Sequence, residues 1–136
     1  MAYSIDQLTT AAECDQVLAY ITDELRVLNQ RRSEFTYQVD TAASTSAEQT
    51  AELESLTAEI SFLTPLIPTL PASKKRTERE NELRRSTDRR DELLSRQGTR
   101  GPVSLLIREL ELAQIEAQLT ETTALQTSVT ARRAAL

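Results

Sequence analysis

Between Pro102 and Ala131 one helix-forming stretch is apolar on two sides, and that doubles the surface the rest of the chain must cover. One stripe runs Val103, Leu106, Leu110, Ala113, Ala117, Thr120, Ala124, Thr127, Ala131, in alternating steps of three and four, the spacing of a seam that packs on a partner helix. A second stripe, Leu105, Leu112, Ile115 and Leu119, falls roughly on the opposite side when each residue turns by about 100°. Gly101-Pro102 supplies a start, because proline at the first helical position gives up only an N–H that has no partner there. Continued to Arg132, this helix is about 45 Å long at about 1.5 Å per residue.

A matching seam lies near the N-terminus. After a short turn that tucks in Ile5 and Leu8, Thr10-Ala-Ala-Glu13 has the spacing of a capping box. Cys14, Leu18, Ile21, Leu25, Leu28, Phe35 and Val39 then keep heptad spacing, interrupted only by Arg32. Val17, Tyr20 and Val27 widen the stripe, as suits a multi-helix bundle. Arg32 has two readings: a charge that specifies register, or a buried stem whose head reaches solvent.

Ala42 to Ser46, rich in Ser and Thr, predicts a break, and Thr45-Ser-Ala-Glu48 a second capping box that starts a helix with the seam Leu53, Leu56, Ile60, Leu63. Pro65 ends or kinks that helix. In the following Pro65–Pro71 stretch, prolines recur every third residue. It is expected to be a stiff connection that buries Leu66, Ile67 and Leu70, in preference to an exposed polyproline ligand.

From Ser73 to Gln97 the texture changes. Nine Lys or Arg stand against six Asp or Glu between Lys74 and Arg96, and only Leu83, Leu93 and Leu94 are strongly apolar. This predicts a solvated helix with a narrow buried edge, capped by Gly98 before Gln97–Gly101 turns the chain.

The expected fold is all-α: an antiparallel four-helix bundle, or elongated helical hairpins with coiled-coil-like packing. It forms a single domain over 1–136, with helices at about 10–43, 46–64, 73–97 and 102–133 and a proline-rich connection at 65–72. Two glycines, no Trp and only five Tyr or Phe leave a core of Leu, Ile, Val and Ala. No apolar run approaches the roughly 18 residues that a membrane span needs, and no basic segment precedes an apolar run at the N-terminus. Cys14 is the sole cysteine, which excludes an intrachain disulfide and favours a reducing, cytoplasmic setting.

Catalytic chemistry finds little to work with. The chain has no His, so Ser-His-Asp and Cys-His arrangements are excluded and the commonest general base is missing. Cys14, between Glu13 and Asp15 and on the seam, reads as a small core residue. Glu109, Glu116 and Glu121 read as a solvated face, and no phosphate-binding glycine loop exists. The expectation is a non-enzymatic chain with no catalytic, cofactor or metal site.

What remains is interaction. The charged helix covers little apolar surface, so Leu105, Leu112, Ile115 and Leu119 are the expected interface with a second copy or a partner protein. Arg84, Arg85, Arg89 and Arg90 are the expected charged partner surface. Nucleic acid is the competing partner for that surface, disfavoured by interleaved acids, the lack of aromatic residues for stacking and a net charge of −5. The function expected is that of a self-associating scaffold or adaptor.

Overall fold

The computed structural model describes residues 2–136, with the side chains of residues 98–100 left out. Its long elements are α1 (Ala11–Leu66), α2 (Lys74–Arg100) and α3 (Pro102–Ala135), with short 3-10 turns at Ile5–Gln7 and Ile67–Thr69. Among the described residues there is no strand. The fold is therefore all-α, in its helical-hairpin form, with three long helices where four were expected.

The difference lies in α1, whose 56 residues pass without interruption through 42–46. The expected break there, and the capping role of Thr45 and Glu48, are both corrected. Phase explains why. The alternating steps that run from Cys14 to Val39 continue through Ala42, Ser46, Gln49, Leu53, Leu56, Ile60 and Leu63 to Ile67 without a slip. Ser and Thr cost only about half a kcal/mol each against Ala in a helix, too little to stop one whose seam is in register on both sides. Thr50 lies inside the helix with its hydroxyl donating to the Ser46 carbonyl at 3.0 Å.

The helix ends follow local chemistry. Thr10 caps α1, its Oγ1 accepting the Glu13 N–H at 3.2 Å, while the Glu13 carboxylate accepts the Thr9 and Thr10 hydroxyls. Pro65 is the penultimate residue of α1, and the chain tightens at once into the 3-10 turn. The proline-rich connection is thus not polyproline II. Ile67 is buried, Leu66 and Leu70 are half-buried, and Pro68 and Pro71 are exposed. Ser73 caps α2 by accepting the Arg76 N–H at 3.4 Å. The far end of α2 is Arg100, with Gly101 as cap in place of Gly98. The Gly101 N–H donates to the Gln97 carbonyl at 3.0 Å, and a Cβ on residue 101 would lie only 2.5 Å from that oxygen. Any other residue would force this junction open.

The chain divides into two compact units, Met1–Val39 with Arg108–Leu136, and Asp40–Ile107. In the first, α1 and α3 run antiparallel: Arg133 pairs with Asp15 at one end, and Arg108 donates to Gln38 Oε1 at 3.0 Å at the other. Cys14, Ile21 and Leu28 are buried from α1, and Ile115, Leu119 and Val129 from α3. Leu25 and Phe35 pack against the cluster of Leu28, Ile115 and Leu119. Each buried Leu or Ile contributes about 1.5–3 kcal/mol relative to exposure. The N-terminal turn is tied down by Arg132, which donates to the Leu8 carbonyl at 3.0 Å, and by Tyr3, whose hydroxyl donates to Glu121 at 2.7 Å.

In the second unit, the short turn at Ile67–Thr69 separates α1 residues 40–66 from α2, and Arg89 of α2 reaches back to Glu52 of α1 at 2.7 Å. Leu63, Ile67 and Leu93 are buried, but so is Ser86. Gln49 Oε1 and Arg90 Nε are buried there without a hydrogen-bond partner. The interior of this unit mixes buried polar groups with its aliphatic residues, whereas the buried side chains of the first are apolar.

Candidate functional site

Of the stripe expected to meet a second copy, Ile115 and Leu119 are buried against the chain's own α1, and Leu105 and Leu112 are half-buried. Its phase extends further than the four Leu and Ile, through Arg108, Thr122, Gln126 and Val129 at the same alternating spacing. The physical reason is side-chain size. This stripe keeps large aliphatics as far as Val129, whereas the other shrinks to Ala and Thr after Leu110, and α1 takes the side that removes more apolar area from water.

The stripe left facing solvent starts with its bulkiest members. Val103 is 57% exposed, Leu106 67% and Leu110 58%, with Ile107 beside them at 51%. Beyond them Ala113, Ala117, Thr120, Ala124, Thr127 and Ala131 are all exposed on the same heptad phase. Single exposed aliphatics need no explanation, but a run of them in seam spacing on one helix does. Glu109 and Glu116 flank the stripe on one side, Gln114 and Glu121 on the other.

The arginines of α2 do not form one surface. Arg84 and Arg85 are exposed, Arg84 donating to Asn81 Oδ1 at 3.0 Å. Arg89 instead turns to α1, holding Glu52 through two hydrogen bonds at 2.7 and 3.2 Å and Glu92 at 3.1 Å. The Arg89 hydrogen bond holds the Glu52 carboxyl below the usual carboxylate range, and the two carboxylates raise the guanidinium in turn. Arg90 is half-buried, with Asp91 3.5 Å from its Nη2. Arg76 pairs with Glu80, Arg79 with Glu82 and Arg96 with Glu92. Much of the local positive excess is thereby neutralised within the unit.

Arg32 interrupts the α1 seam at an exposed position. It lines an open cleft of the first unit with Leu25, Asn29, Leu119, Thr120 and Thr123. At the turn between α1 and α2, a half-open pocket of about 380 Å³ has Phe62, Leu63, Leu66 and Leu70 as its apolar wall and Lys75 and Arg79 among its rim. Among the described residues no three acidic or cysteine side chains converge to hold a metal ion, and no helix is long and apolar enough to cross a membrane. Comparison with protein-family models, curated proteins and solved structures finds no match to this chain.

Proposed function

We propose that the protein is a non-enzymatic, self-associating helical module with a scaffolding or adaptor role in a reducing, cytoplasmic setting. The observation that carries this reading is the solvent-facing heptad stripe of α3, headed by Val103, Leu106 and Leu110.

Light scattering of the full chain across a range of concentrations tests the reading: a mass above 15.2 kDa that falls on dilution is expected. A monomer at every concentration overturns it. The competing reading is phosphate or nucleic-acid binding through α2, resting on exposed Lys74, Lys75, Arg84 and Arg85. Loss of phosphate-backbone affinity on reversing Arg84 and Arg85 to Glu, with the mass unchanged, would favour it.

A further inference from the structure

We infer that the pocket at the turn between α1 and α2 binds a medium-chain aliphatic carboxylate, with the chain on its apolar wall and the head at Lys75. Every residue that lines the pocket belongs to the second unit, so the site is complete there and independent of self-association. Its volume of about 380 Å³ lies in the range of small-molecule sites, about 300–1,000 Å³. The wall joins Phe62, 66% exposed, to the buried Leu63, with Leu66 and Leu70 half-buried. An aliphatic chain laid on these side chains removes apolar surface of both from water. The wall is held in place without a ligand. The Thr69 hydroxyl donates to the Leu66 carbonyl at 2.5 Å, and Arg76 donates to the Leu70 carbonyl at 3.2 Å, which ties the turn to the start of α2. Little ordering remains to be done on binding.

Charge selects the head. Four ionised side chains share the lining, Glu59, Lys75, Arg79 and Glu82. Arg79 Nη1 donates to both Glu82 oxygens at 2.9 Å, and these two neutralise each other. Lys75 and Glu59 have no hydrogen bond or ion pair among the described residues, but their surroundings differ. Lys75 stands between Lys74 and Arg76 in the first turn of α2, which has no acidic residue, and the positive end of the helix dipole adds to these cations. An anion at Lys75 relieves a repulsion that the chain leaves in place. Glu59 lies seven residues inside the end of α1, beyond the last turn in which a dipole acts. The head carries a single charge. Arg76 and Arg79, whose paired donors would suit a phosphate, are held by Glu80 and Glu82, and Glu59 opposes a second negative charge. One ammonium is left for one carboxylate.

The test follows the backbone amide shifts of the full chain by NMR during titration with octanoate, octanol and octylammonium, each at concentrations where it does not aggregate. Octanoate should shift the lining of the pocket in a saturable way and bind more tightly than the other two. Lys75→Gln should weaken octanoate roughly fivefold, the scale of one solvent-facing ion pair, and leave octanol unchanged. Phe62→Ser should abolish saturable binding of octanoate. Both positions are exposed, so the circular dichroism of each variant should match that of the parent. Octanol binding as tightly as octanoate would mean that the wall alone is recognised, and tighter octylammonium would make Glu59 the selecting charge; either result overturns the inference. So do shifts that fail to saturate or that centre outside the turn, and so does an octanoate affinity unchanged in Lys75→Gln or in Phe62→Ser.

Discussion

The two units use one heptad phase and fill it differently. In the first, the seam of α1 presents Cys14, Ile21 and Leu28 to Ile115, Leu119 and Val129, with no polar residue among those buried. In the second, the same seam continues as Ala42, Ser46 and Gln49 before it turns aliphatic again at Leu53, and α2 buries Ser86 beside Leu93 and half-buries Arg90. Phase alone is enough to keep α1 helical across both. What varies is the free energy gained by closing the seam, because an aliphatic layer is driven by dehydration whereas a polar one must replace the hydrogen bonds it had with water. Gln49 Oε1 and Arg90 Nε have not replaced theirs. The second unit should accordingly be the first to open, and amide exchange along α2 should outpace that along α3.

The largest test is Leu28→Ala, which removes a side chain from the centre of the aliphatic cluster and should cost about 3 kcal/mol, read from denaturant unfolding. Leu93→Ala is its counterpart in the second unit. An equal cost there, with exchange rates equal in α2 and α3, would erase the distinction between the units. Next in size, Gln49→Leu combined with Arg90→Met replaces two unsatisfied polar atoms with apolar ones and should raise stability by about 1–2 kcal/mol, with slower exchange confined to α2. Loss of stability would show that these groups hold the register.

A smaller effect is pH-dependent. The folded Glu52 carboxyl titrates below its ordinary value of 4.5 because Arg89 hydrogen-bonds its charged form. Its contribution is therefore complete above that value and lost as pH falls through the lower, folded one. Thermal scans should show the melting point falling below about pH 4.5, and Glu52→Gln should flatten part of that slope. Least of all should be Asp15→Asn at the far end of the first unit, where the Arg133 pair is exposed and water screens it; a melting point within error of the parent is expected.

Much of this was legible in the residues. The Thr10 cap, the heptad seam to Val39, the end of α1 at the prolines, the Ser73 start and the narrow buried edge of α2 follow from local chemistry or periodicity. The missed continuation of α1 was legible too, since Ala42, Ser46 and Gln49 keep step, but a seam of small polar residues resembles a loop when judged by composition. The Arg89–Glu52 pair spans 37 residues and has no local signature.

The outward side of α3 was of a different kind. Its sequence states that two stripes exist and that both need cover, because each repeats at the helical period. It does not state which one the chain covers itself, since periodicity is a property of one helix and burial is a property of two. The sequence by itself determined that the chain is helical, where its seams run and where its helices are capped. Only the tertiary structure decided that α1 takes Ile115 and Leu119, because that choice depends on which pairing of whole helices withdraws most apolar surface from water. Leu110, on the other side of α3 in the same unit, is left exposed.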